Sequence, residues 1–115
     1  MEIQDLRIGN YYLDSNKTPF ILTKKGLISI LKKEIVLNVI FPIPLTAERL
    51  IKIGFKSNNQ IPEFLEIYRN TPFFFQMFKF DTNTWIVSGC NYKLEYLHQL
   101  QNLFFALKQK ELPIK

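Results

Sequence analysis

The 115-residue chain carries a net charge of +5, and 47% of its residues are apolar and 15% aromatic, eleven of them Phe. That content excludes a disordered chain, and the length is that of one domain, residues 1–115, with room for one modest core. No run reaches the roughly 18 consecutive apolar residues of a membrane span; the longest apolar stretch, IVLNVIFPIPL (Ile35–Leu45), is broken by Asn38, Pro42 and Pro44. The lone cysteine, Cys90, excludes an internal disulfide framework and fits a reducing compartment. The opening MEIQDLRIGN has no apolar leader core, so the expected location is the cytoplasm.

The charge is lopsided. Residues 1–57 hold nine Lys and Arg against five Asp and Glu, and residues 58–115 hold six against five. The excess centres on Lys24, Lys25, Lys32 and Lys33. A basic surface attracts nucleic acid or an acidic protein, and it is also an ordinary way to keep an apolar-rich domain in solution.

Taken along the chain, RIGNYYLD (Arg7–Asp14) predicts a first strand with a bend at Gly9-Asn10, and DSNKTP (Asp14–Pro19) a turn. FILTKKGLISIL (Phe20–Leu31) predicts two short strands folded about Lys24-Lys25-Gly26, with Gly26 supplying positive φ. EIVLNVIF (Glu34–Phe41) predicts another strand from its β-branched residues, with Lys32 and Lys33 at a solvated bend before it. PIPLTAERLIKIGFK (Pro42–Lys56) then predicts a short helix over about 46–54. Thr46 is its N-cap, Glu48 suits the first turn, Gly54 ends it, and Ala47, Leu50 and Ile51 form the apolar face.

EFLEIYR (Glu63–Arg69), FFFQMFKF (Phe73–Phe80) and WIVSGC (Trp85–Cys90) predict an antiparallel meander. The middle strand is largely apolar on both parities, which predicts a central strand covered on both faces. Finally, EYLHQLQNLFFALKQKEL (Glu95–Leu112) predicts a long amphipathic helix over about 94–110. Tyr96, Leu97, Leu100, Leu103, Phe104 and Leu107 share an arc of roughly 120°, and Pro113 stops the continuation. The expected class is α+β: antiparallel sheet packed by the short central helix and the longer C-terminal one.

Candidate chemistry is sparse. One His and one Cys cannot build a His/Cys zinc cluster, the four glycines are scattered and form no phosphate loop, and Glu63 and Glu66, three apart on a strand, point to opposite faces. A Cys90–His98 pair is conceivable only through the fold. No cofactor, metal or catalytic residue is therefore expected, and the chain reads as a non-enzyme. FFFQMFKF lacks the basic-Gly-aromatic opening of an RNA-recognition strand, so core is favoured over a base-stacking surface. Lys24, Lys25, Lys32 and Lys33 are the better candidates for nucleic-acid contact, and they serve equally to blunt sheet edges. The second face of the C-terminal helix holds His98, Gln101, Asn102, Phe105 and Gln109. Phe105 among amides reads either as a protein-interface anchor or as a side chain packed against the N-terminal strand. His98 reads first as an ordinary helix histidine.

Three strings taken together carry a resemblance: DLRIGN (Asp5–Asn10), PIPLT with LIKIGF (Pro42–Thr46, Leu50–Phe55), and YLHQLQNLFFAL (Tyr96–Leu107). Their order resembles a family of short phage and prophage proteins that open on DLRIGN and close on a HQLQNL helix followed by ALTG-EL. This chain departs from that ending, with Lys108-Gln109-Lys110 after Ala106-Leu107. The likeness implies a phage setting without a catalytic activity. It is also similar to anti-CRISPR proteins against the type VI-B RNA-guided RNase. What this implies is an inhibitor in the bacterial cytoplasm that binds the effector protein or its guide RNA, with no membrane or small-molecule substrate. The alternatives read from composition are a basic nucleic-acid-binding accessory module and a small phage structural protein.

Overall fold

A computed structural model describes residues 5–32, 40–57, 64–68, 71–81, 84–88 and 92–114. The elements are β1 (Tyr11–Leu13), β2 (Pro19–Ile21), α1 (Lys24–Leu31), α2 (Ala47–Ile53), β3 (Lys56–Ser57), β4 (Phe64–Ile67), β5 (Phe75–Asp81), β6 (Thr84–Val87), β7 (Lys93–Leu94) and α3 (Leu97–Lys108). Strands β1 and β2 form a hairpin, and β3 to β7 form a five-stranded antiparallel sheet in sequential order. The class is α+β, as the patterning predicts. No helix among the described residues is long and apolar enough to cross a membrane.

Local chemistry accounts for much of this. The Asp14 carboxylate accepts from the backbone N–H of Asn16 and of Thr18, both at 2.9 Å, which closes the β1–β2 turn. The Thr46 hydroxyl accepts from the Arg49 N–H at the start of α2, and Gly54 ends it at φ 130°, a conformation that penalises any side chain. In α3 the Gln99 side chain reaches back, its Oε1 accepting from the N–H of Glu95 (2.9 Å) and Tyr96 (3.0 Å). A left-handed Gln109 closes the helix.

The main core lies between the sheet and the two helices α2 and α3. Leu65, Ile67, Phe75, Met77, Trp85, Val87 and Leu94 from the sheet meet Leu50, Ile53, Leu97, Leu100 and Phe104 from the helices. A satellite cluster of Tyr12, Leu22, Ile30 and Ile40 lies under α1.

Four expectations change. The stretch after Leu22 is the helix α1 and not a strand: the Thr23 hydroxyl accepts from the Gly26 N–H, and Leu27 and Ile30, three apart, face Tyr12 and Leu22. Lys24, Lys25 and Gly26 thus form the first helical turn, and positive φ among the described glycines falls at Gly9 and Gly54 instead. On α2 the buried pair is Leu50 and Ile53, which pack into the main core, while Ile51 is 55% exposed and lines the cleft beside the helix. The α3 stripe also turns: Leu107 is exposed, and His98 and Gln101 are buried in its place. The strand β5 is covered on one face only. Phe75 and Met77 point into the core, but Gln76 and Phe78 are half-buried and Phe80 is 58% exposed. Most of the strand predicted at 34–41 lies outside the described residues. Phe41 itself bridges Leu13, with N–H to O distances of 2.8 and 2.9 Å.

Candidate functional site

Two surfaces hold the chemistry-bearing residues. The first is the face of α3 opposite the sheet, where the N-terminal segment lies. The Gln101 Oε1 accepts from the Tyr11 N–H at 2.8 Å, and its amide nitrogen donates to the Gly9 carbonyl at 3.4 Å. The Asn102 Oδ1 accepts from Arg7 Nε and from Asn10 Nδ2, each at 2.7 Å. Arg7 also donates to the Asn10 Oδ1 at 2.8 Å and pairs with Glu111 at 2.8 Å, fastening the chain's first described segment to its last. Its guanidinium lies 5.0 Å from the centroid of the Phe105 ring.

His98 is 5% exposed, between the rings of Tyr12 (5.4 Å) and Tyr96 (5.9 Å, nearly parallel), and its Nδ1 is buried without a hydrogen-bond partner. Burial pushes the imidazole below its ordinary pKa, partly opposed by the charge of Asp5. The Tyr12 phenol is pushed up by burial, against hydrogen bonds from Asn10 and the Arg7 backbone. Its hydroxyl donates to the Asp5 carbonyl at 2.8 Å.

Of the five residues singled out on this helix face, His98 and Gln101 are therefore inside the molecule, and Asn102 is tied to Arg7 and Asn10. Phe105, at 40% exposure, packs beneath Arg7, and Gln109 is exposed at the helix end. The partners Arg7, Asn10 and Glu111 escaped sequence reasoning, since Arg7 and Asn10 lie 95 and 92 positions from Asn102 and Arg7 lies 104 from Glu111, separations that leave no trace in local periodicity. The strings DLRIGN and YLHQLQNL, read separately, are the two that meet.

The lysines do not gather at one place. Lys24 and Lys25 lie exposed in the first turn of α1, and Lys32 follows its last residue, about 12 Å along the axis at 1.5 Å per residue. Lys33, Cys90 and Glu63 lie outside the described residues. Among those described, no group of three His, Cys, Asp or Glu is placed to hold a metal ion.

The second surface is the outer face of the five-stranded sheet. Pairing brings Phe64 opposite Phe78, Phe78 opposite Ile86 and Ile86 opposite Lys93, so these four form a row across β4 to β7. The Phe64 and Phe78 rings lie 5.4 Å apart, and the Lys93 Nζ sits 4.9 Å over the Phe80 ring. A parallel row runs Lys56, Glu66, Gln76, with Ser88 donating to the Gln76 side chain at 3.4 Å. The face is thus aromatic at its centre with a lysine on each edge strand. Alternation alone could find the residues but not that no layer among the described residues covers them.

A separate half-open cleft of about 860 Å³ lies beside α2, walled by Tyr11, Ile43, Ile51, Ile53 and Leu97, with Arg49 and Lys52 among its polar residues. Comparison of the chain with protein-family models, with curated proteins and with solved structures returns no match.

Proposed function

We propose that this chain is a non-enzymatic binding protein of phage type that inhibits a host defence machine, and that it engages its target through the outer face of the five-stranded sheet. The observation that carries the reading is the aromatic surface itself. Phe64, Phe78, Phe80 and Ile86 sit between Lys56 and Lys93, with half-buried or exposed side chains and no further layer among the described residues. Aromatic centres with polar margins are the composition of binding surfaces. The helix face that first attracts the eye is engaged within the molecule and contributes mainly Phe105 and Gln109 at its margin.

The expected target is a type VI-B RNA-guided RNase carrying its guide RNA, which rests on the resemblance of the DLRIGN, PIPLT and HQLQNL strings. Inhibition by occupation needs no catalytic group, and a contact of about 800 Å² per partner is within reach of a domain this size. The test is binding of the purified, guide-loaded effector, read by calorimetry, together with its cleavage of target RNA. Phe80→Ala should weaken binding about ten-fold or more, as removal of a central aromatic anchor does. Binding unchanged in Phe80→Ala but lost in Phe105→Ala would return the contact to α3. An effector that neither binds nor loses activity would end the inhibitor reading.

A further inference from the structure

We infer that the outer sheet face binds single-stranded nucleic acid by base stacking, a step that rests on this face being the contact surface. Three features favour that occupant over a protein. The first is shape. A protein anchor is a side chain seated in a pocket, and the cleft lined by Tyr11, Ile43 and Leu97 lies elsewhere, beside α2. The sheet offers instead a shallow row of rings from adjacent strands, a platform for the flat faces of successive unpaired bases.

The second is the placing of charge. Lys56 is on one edge strand and Lys93 on the other, roughly 19 Å apart at four strand spacings. A strand crossing the platform meets a cation on entry and on exit. Lys93 over the Phe80 ring already joins a stacking surface to a phosphate-seeking charge. Of the acidic residues here, Glu66 stands opposite Lys56 and Asp81 opposite Thr84, and each engages another group of the chain.

The third is the row beside the rings, in which Glu66 separates Lys56 from Gln76. Gln76 and Ser88 supply amide and hydroxyl groups beside the aromatic row. Such groups can hydrogen-bond base edges without demanding one base, so the expected specificity is for single strands over duplex rather than for a sequence.

The test is fluorescence anisotropy with short labelled poly-U, poly-dT and a duplex, on the full chain and on Phe80→Ala, Lys93→Gln and Lys24→Gln/Lys25→Gln. Circular dichroism melts establish that each variant folds. Single strands should bind and duplex should bind at least ten-fold more weakly. Phe80→Ala should lose about ten-fold or more. Lys93→Gln should flatten the dependence of log affinity on log salt by about one, and the α1 double variant should leave affinity within about two-fold. Preference for poly-U or for poly-dT separates an RNA from a DNA source. No single-strand binding, or equal affinity in folded Phe80→Ala, overturns the inference. If Phe80→Ala loses the guide-loaded effector while the wild-type chain binds no oligonucleotide, the face is a protein contact and only this inference falls. If single strands bind but the effector does not, the inhibitor reading falls and this one stands.

Discussion

The outer face of α3 and the outer face of the sheet are both the second side of an element whose first side lies in the main core, yet they end differently. Over α3 the chain lays its own N-terminal segment and satisfies it with side-chain amides: Gln101 serves Tyr11 and Gly9, and Asn102 serves Arg7 and Asn10. Over the sheet the described residues lay nothing, although the face is the more aromatic. Gln101 and Asn102 are covered where they have partners, because unpartnered burial costs more than a hydrogen bond returns; the His98 Nδ1 is the exception on this face. Aromatic residues need no such partners, so they can remain half-exposed for something else to cover. The polar face is therefore the closed one, and the apolar face is the open one.

The comparison can be broken or sharpened by substitution. The largest effect belongs to the side that both elements share. Phe104, fully buried and 5.5 Å from the Phe75 ring, should cost about 3–5 kcal/mol of stability as Phe104→Ala in urea unfolding. Next comes the closed face. Asn102→Ala leaves the Arg7 Nε and the Asn10 amide without their acceptor, and about 1–3 kcal/mol should be lost. A neutral result would mean that the amides do not hold the N-terminal segment.

Acid probes the same seam. Burial lowers the His98 pKa in the folded chain, so below about pH 6.5 the unfolded chain takes up the proton first. The unfolded state then binds more protons, and stability falls as the pH drops from 7 towards 5. The urea midpoint should decline over that window, above the ordinary carboxylate range, and His98→Phe should flatten the decline. A midpoint that rises on acidification would mean His98 gains a partner on protonation. The smallest effect on stability belongs to the open face: Phe80→Ala should stay within about 0.5 kcal/mol of wild type while lowering binding. A large loss of stability there would show that the face is a structural surface after all.

What was legible in the residues alone follows the range of the interaction responsible. Thr46, Glu48 and Gly54 mark α2 because capping is settled within one turn. The meander β4 to β6 follows from β-branched and aromatic runs separated by turn residues. The existence of α3 follows from its periodicity, but it starts at Leu97 and not at 94, because Lys93 and Leu94 pair with β6 as the strand β7. In Phe20–Leu31 the β-branched and Leu residues satisfy a strand and a helix pattern alike. The Thr23 cap and the satellite core of Tyr12, Leu22 and Ile40 select the helix.

The sequence by itself thus determined the element types wherever the decisive contact spans a few residues, and with them the α+β class. Only the tertiary structure decided which faces are covered. His98 and Gln101 pass from a predicted outer face to the interior because β1 packs on α3 from some ninety positions away. Phe78 and Phe80 pass from a predicted core to the surface because no second layer among the described residues reaches them. Helical and strand periods report that a side is apolar or polar; what lies against it is set by chain segments distant in sequence, to which a local period carries no information.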